Sequence, residues 1–144
     1  MLIGEYTHKL DGKRRLSLPA KFRQKLGKKV VVTHGLDSCL FVFSEHQWET
    51  ILMKLSELSM GQSDSRAFNR FLLAGATDVE IDSLGRILIP DYLAQFAQVQ
   101  ATAVLIGVQD RVEVWNEKNW KTYKQRVEKQ ADKVAQKLGE LGVL

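Results

Sequence analysis

Asp11 and Arg15 stand four residues apart, and so do Asp82 and Arg86. A carboxylate and a guanidinium either side of a tight turn can fold back into a charge-assisted pair. Such a pair clamps a turn between two strands, and that structural role is the first expectation for Asp11, Asp82 and Arg86. Arg15 is more ambiguous, because Lys13 and Arg14 sit beside it. One carboxylate cannot neutralise three cations, so the excess charge needs water or an anion. The run continues through Lys21, Arg23, Lys25, Lys28 and Lys29, with Lys9 before it and Asp11 as its only acid. The matching stretch of the second half holds Asp78, Glu80, Asp82 and Asp91 against Arg86. The net charge is only +4, yet a local patch of one sign attracts polyanions whatever the total.

These residues belong to a phrase written twice. DGKRRLSLPAKF begins at Asp11 and DSLGRILIPDYL at Asp82. At one constant offset Asp11 matches Asp82, Arg15 matches Arg86, Pro19 matches Pro90 and Phe22 matches Leu93. After one inserted residue Gly35 matches Gly107, Leu40 matches Val112, Phe43 matches Trp115 and Trp48 matches Trp120. The duplication predicts two related halves that pack together or intertwine, since either alone is marginal in size. The copies differ in charge. Lys21, Lys25 and Lys28 share one helix face, and their counterparts are Tyr92, Phe96 and Val99. Phe22 and Leu26 map to Leu93 and Ala97, so the core face is kept. The expectation is a division of labour: the first half turns this face to a polyanion, and the second buries it against a helix or a neighbouring subunit.

The elements that must position these residues follow from local pattern. Leu2 to Leu10 reads as a strand, Asp11 to Arg14 as a turn, and Arg15 to Leu18 as a short strand. Pro19 opens a helix where a missing N–H costs nothing, and Gly27 ends it. Strands follow at Lys29–Thr33 and Cys39–Phe43. Ser44 with Gln47 resembles a capping box before a helix with Trp48, Ile51, Leu52 and Leu55 on one stripe. Asp64 to Ala74 reads as another helix with Phe68, Phe71 and Leu72 inward. The order then repeats from Thr77, with Pro90 at a helix start and strands near Ala103–Val108 and Arg111–Trp115. Asn116 caps a long last helix. Its apolar positions from Trp120 to Leu141 recur every three or four residues, suiting a partner helix or the body of the same chain.

Composition bounds the rest. An apolar share of 44% with 26% charged residues is that of an ordinary globular protein. Cys39 is alone, which removes an intrachain disulfide and a thiol-rich metal site and favours a reducing compartment. The first twelve residues lack the apolar stretch of a signal peptide. His8, His34 and His46 lack zinc-site spacing. There is no glycine-rich phosphate loop and no GxSxG phrase, so no catalytic residue, metal, cofactor or small-molecule substrate is expected.

The paired D-x-x-x-R phrase, each followed by aliphatic-x-aliphatic-Pro, resembles the MraZ family of tandem SpoVT-AbrB-type domains over nearly the whole chain. The resemblance implies an α+β fold: a pseudo-two-fold swapped-hairpin β barrel from two AbrB-like repeats, with flanking helices and a long C-terminal helix. Residues 1–58 would form the first, basic repeat, 59–75 a connecting helix, and 76–144 the second repeat with the long helix. It implies a bacterial transcriptional regulator of the division and cell-wall gene cluster, its own gene included, in the cytoplasm and on the nucleoid. The partners implied are double-stranded DNA, at short direct repeats in the promoter, and further copies of the chain in a ring-like homo-oligomer. Lys13 to Arg15 would be the DNA-contacting loop, Arg15 the motif arginine and Arg86 its second copy. Lys13, Arg14 or Arg15 would reach guanine edges, and Lys21, Arg23, Lys25 and Lys28 would hold phosphates. One departure stands out. The residue before the motif arginine is usually Gly; the second copy keeps Gly85 and the first has Arg14. If the position needs positive φ, Arg14 is strained; otherwise the first turn differs. The rival reading is a non-catalytic interaction module, an AbrB-like antitoxin or scaffold acting through the last helix.

Overall fold

The computed structural model describes residues 1–144. The first half runs β1 (Ile3–Lys9), β2 (Arg15–Ser17), α1 (Ala20–Leu26), β3 (Lys29–His34), β4 (Leu40–Ser44) and α2 (Glu45–Ser56). Helix α3 (Ser63–Ala74) leads into the second: β5 (Thr77–Glu80), β6 (Arg86–Leu88), α4 (Asp91–Ala97), β7 (Thr102–Val108), β8 (Val112–Trp115) and α5 (Glu117–Glu140). Pro19 and Pro90 sit at the N-caps of α1 and α4, with φ of −54° and −58° that proline already holds. Ser44 Oγ accepts from Gln47 N at 3.1 Å and Asn116 Oδ1 from Asn119 N at 2.8 Å, so α2 and α5 start at matching caps.

The halves are exchanged rather than placed side by side. The main sheet is antiparallel, in the order β1-β7-β8-β4-β3-β5. Strand β1 pairs with β7, β4 with β8 and β3 with β5, so each of these pairings joins the two halves. A separate ribbon pairs β2 with β6. In that ribbon Leu16 faces its repeat-mate Ile87, and in the centre of the main sheet Phe41 faces its repeat-mate Glu113. Residues paired with their own copies mark the pseudo-two-fold axis. The main sheet has β1 and β5 as its edges and does not close on itself.

The core lies on the axis. Leu16, Phe22, Val30, Val32, Leu40, Val42, Ile87, Ile89, Leu93, Leu105, Val112 and Val114 are fully buried in one cluster. They come from both halves, so truncating any one leaves a cavity at a shared interface. On the opposite face of the sheet, Cys39, Val104, Ile106 and Trp115 form a smaller cluster that Trp120 and Tyr123 of α5 cover. Glu5 on β1 fixes α5 there, accepting from Trp120 Nε1 at 3.0 Å and Lys124 Nζ at 3.1 Å. Those bonds, the Trp120 one foremost, hold the Glu5 carboxyl below its usual range.

Helix α3 departs from the sequence expectation, and α5 follows one of its two alternatives only in part. In α3 only Leu72 is buried; Phe68 is exposed and Phe71 lies at the rim, because the helix meets the sheet along one narrow edge. In α5 the apolar stripe packs on its own chain only as far as Tyr123. Val127, Val134 and Leu138 are 39%, 47% and 38% exposed, since the helix runs past the edge of the sheet.

Candidate nucleic-acid interface

The two D-x-x-x-R turns are built alike. Asp11 Oδ1 accepts from the backbone N–H of Lys13 and Arg15, both at 2.9 Å, and its Oδ2 takes Arg15 Nε. Asp82 Oδ1 accepts from Leu84 N and Arg86 N at 2.9 Å, and Oδ2 from Arg86 Nε at 2.9 Å. A carboxylate accepting several N–H bonds favours its charged form. The Arg15 amide is the main cause holding the Asp11 carboxyl below its usual range, and the Arg86 amide does the same for Asp82. The turns are therefore clamped, and their tips, Lys13 and Leu84, stand in solvent.

Arg14 settles the backbone question. Its φ is +60° and that of Gly85 is +78°. Both turns adopt the left-handed conformation, so the first keeps the geometry and carries the strain. The strain has a partner. Arg14 Nε donates to Ile89 O at 3.1 Å, and Nη1 lies 3.9 Å from Asp91 Oδ1. At the other turn the Gly85 position is closed: a Cβ there would stand 2.0 Å from Arg23 Nη1. The repeat-mate of Arg23 is Ala94, which is buried. The arginine and the small residue thus change places between the copies: Arg23 fills the space over Gly85, while their repeat-mates are Ala94 and Arg14. No motif in the sequence signals this exchange, because its members lie far apart in the chain.

The charges differ between the two copies, and α1 stops at Leu26, so Lys28 lies past its end rather than on the helix face expected for it. Lys21, Lys25 and Lys28 are exposed on the α1 side, and neither they nor Lys13 nor Arg23 forms an ion pair. Arg15 uses Nε on Asp11, leaving its Nη groups free of protein partners. Arg86 is more enclosed, holding Asp82 and reaching Asp11 Oδ2 at 3.7 Å. On α4 the equivalent face is covered only in part, with Tyr92 48% exposed. Tyr92 OH donates to Gly75 O at 2.8 Å, Phe96 packs on His34 at 4.5 Å between centroids and on Phe71 at 5.9 Å, and Val99 is buried. His34 is the element that pattern reading missed. It stacks on Phe71 at 4.8 Å and seats α3 on the body.

Other reactive groups have structural explanations. Cys39 is buried, donates to Leu36 O at 3.1 Å, and burial pushes its thiol pKa far up. Among the His, Cys, Asp and Glu residues no group of three is placed to hold a metal ion. No helix is long and apolar enough to cross a membrane.

Fold and site together define a tandem-repeat α+β protein whose exchanged halves carry two clamped turns beside a basic helix face. Its relatives make the class specific. A family model described as "MraZ protein, putative antitoxin-like" matches twice, over residues 1–71 and 72–140. The Transcriptional regulator MraZ of Caldicellulosiruptor saccharolyticus is 46% identical over 99% of this chain and 100% of its own length. That of Thermoanaerobacter pseudethanolicus is 45% identical over the same shares. That of Desulforamulus reducens is 41% identical over 98% and 99%. The chain belongs to the MraZ family.

Proposed function

We propose that this chain is a sequence-specific DNA-binding transcriptional regulator that reads double-stranded DNA through the turn at Lys13–Arg15. The observation that carries it is a set of exposed cations without acidic partners: Lys13 on a turn that Asp11 holds rigid, and Lys21, Lys25 and Lys28 on and just past α1. Lys13 and the free Nη groups of Arg15 meet base edges in the major groove. Lys21, Arg23, Lys25 and Lys28 meet phosphates. Arg14, tied to Ile89 and Asp91, shapes the turn and adds charge, and Arg86 sets the pose of both turns.

The finer reading follows the family. Residues 1–58 are the DNA-facing repeat, 59–75 connect, and 76–144 form the second repeat with the long helix. The β2–β6 ribbon, joined to β1 by the Leu10–Leu16 bridge, is the closing wall of a swapped-hairpin barrel. The targets are short direct repeats upstream of the division and cell-wall gene cluster, including the chain's own promoter, in the cytoplasm and on the nucleoid. One turn per chain gives weak binding; a ring-like homo-oligomer sets several turns along several repeats and gains through effective concentration.

The test is fluorescence anisotropy on the duplex upstream of the chain's own gene, over a salt series, with a scrambled duplex beside it. Selective, salt-steep binding that Arg15→Ala or Lys13→Ala removes is the expected result. Equal affinity for both duplexes rejects sequence-specific reading, and equal affinity for one repeat and several rejects the avidity argument. A second reading draws on the exposed stripe of α5: an antitoxin-like or scaffolding role through that helix. It is favoured if no duplex binds.

A further inference from the structure

The second turn presents a different chemistry from the first. Its tip residue is Leu84, 68% exposed, where the first turn has Lys13. On the adjoining strand Leu88 is 49% exposed. Three hydrogen bonds hold the turn, and Leu84 stands outside both buried clusters. The register shows which way it faces. Leu16 and Ile87 are paired, fully buried and on the inner face of the ribbon, so Arg15, Ser17, Arg86 and Leu88 form the outer face. A pseudo-two-fold axis normal to that ribbon places both turns on the same side of it. The antiparallel register sets the turns at opposite ends of the ribbon, and Arg86 Nη1 reaches across to within 3.7 Å of Asp11 Oδ2. A duplex laid along the outer face of the ribbon from Lys13 and Arg15 runs toward the Leu84 turn.

The second turn lacks cations at its tip, but one is supplied from the other half. Arg23 lies against Gly85, its guanidinium filling the space a side chain there would need. Arg23 has no acidic partner, and its Nε is buried without a hydrogen bond. That turn is thus an apolar tip beside an unpaired cation.

We infer that the Ser83–Leu84 tip is a second DNA-reading element of the same chain, in which Leu84 packs on a thymine 5-methyl group in the major groove while Arg23 holds the neighbouring phosphate. This rests on the DNA-binding reading above and adds a specificity residue to it. The 5-methyl group is the one apolar feature of the major-groove edge, and aliphatic side chains recognise it by contact. The head reads asymmetrically along the duplex: a basic half at Lys13 and an apolar half at Leu84.

The experiment uses the full chain and the same upstream duplex, with each thymine replaced in turn by deoxyuridine, which differs only in lacking the methyl group. Wild type is expected to lose about 4-fold in affinity at one thymine position per repeat, the effect of one buried methyl. Leu84→Ala is expected to bind the normal duplex several-fold more weakly and to be indifferent to that same replacement. Leu84→Met, which keeps apolar reach, is expected to retain sensitivity. The salt dependence of Leu84→Ala stays that of wild type, and that of Arg23→Gln becomes shallower by about one ion. A flat deoxyuridine series in wild type, with Arg15→Ala still abolishing selective binding, overturns this inference and leaves the first turn as reader. Leu84→Ala that changes subunit number in sedimentation also overturns it, making Leu84 an assembly contact. Absence of selective binding by wild type removes the DNA-binding reading itself.

Discussion

Asp11 Oδ2 lies 3.7 Å from Arg86 Nη1 while also holding Arg15, so one carboxylate ties the turn of the first repeat to the arginine of the second. Asp82 makes no matching contact with Arg15; it holds only its own arginine. The near-symmetric pair is therefore hierarchical. Removing Asp11 frees the Arg15 guanidinium and two amides and costs Arg86 its second carboxylate, and removing Asp82 frees one guanidinium and two amides. Asp11→Asn is expected to lower the thermal midpoint and loosen DNA selectivity more than Asp82→Asn. Thermal melts and amide hydrogen exchange at residues 11–15 and 82–86 check this.

The same clamps set an acid limit. Both carboxyls are held below the usual value of 3.8 in the folded chain. A group with a depressed folded pKa binds its proton more readily unfolded, so its stabilisation is present above 3.8 and is lost as pH falls through the folded value. Both side chains meet solvent, so the effect is modest and salt-screened. Thermal midpoints between pH 6 and pH 2 are expected to fall below about pH 4, and the Asp11→Asn/Asp82→Asn double variant is expected to fall less steeply over that range.

Gly85 is closed twice over, by its φ of +78° and by the Arg23 guanidinium. Gly85→Ala is expected to destabilise by about 1–3 kcal/mol, the range for a strained backbone position. Adding Arg23→Ala removes the clash but not the backbone strain. The double variant should therefore regain part of the loss, and urea denaturation of the two singles and the double measures that coupling. If the two changes add without coupling, the exchange of large and small residues between the turns is not a packing device.

Much of this was legible because the physics is local. Pro19 and Pro90 start helices by their own geometry, Ser44 and Asn116 cap by their own oxygens, and the Asp–Arg clamps span four residues. The charge contrast between Lys21, Lys25, Lys28 and Tyr92, Phe96, Val99 was legible because the duplication supplied the comparison. Which strand pairs with which was not. Two equal repeats satisfy their local patterns whether side by side or exchanged, and only the shared core at Leu16 and Ile87 decides. The anchor of Arg14 on Ile89 and Asp91, and the seating of α3 on His34, depend on contacts across the chain. Phe68 read as inward because its spacing is helical, and periodicity does not say how much of a stripe is covered.

The two equivalent helix faces give opposite responses to charge. Lys21, Lys25 and Lys28 on the α1 side contact no acid, so changing any one to Gln is expected to leave stability within ~0.5 kcal/mol. Each change that removes a phosphate contact reduces the salt slope of DNA binding by about one. On α4, Phe96 packs on His34 and Phe71. Phe96→Ala is expected to cost about 2 kcal/mol, below the 3–5 kcal/mol of a fully buried phenylalanine because Phe96 is only half-buried. Phe96→Lys is expected to detach α3 as well. An unchanged melt and unchanged assembly for Phe96→Lys would mean the halves have not divided their roles.

Helix α5 separates stability from assembly. Trp120 packs on Trp115 at 5.2 Å between centroids and donates to Glu5 at 3.0 Å, whereas Val127, Val134 and Leu138 stand in solvent. A solvent-exposed helix end of this length is marginal by itself, and an apolar stripe along it is satisfied only by another surface. Trp120→Ala is expected to cost about 2–3 kcal/mol, as loss of a half-covered aromatic and its hydrogen bond. Truncation after Arg126 removes residues that contribute little to the folded body, so the thermal midpoint is expected to move by only a few degrees. If the stripe joins copies of the chain, the same truncation lowers the mass measured by sedimentation and weakens binding to several repeats while sparing binding to one. A truncated chain that keeps its full assembly would place the subunit contact elsewhere and leave the stripe for a different protein.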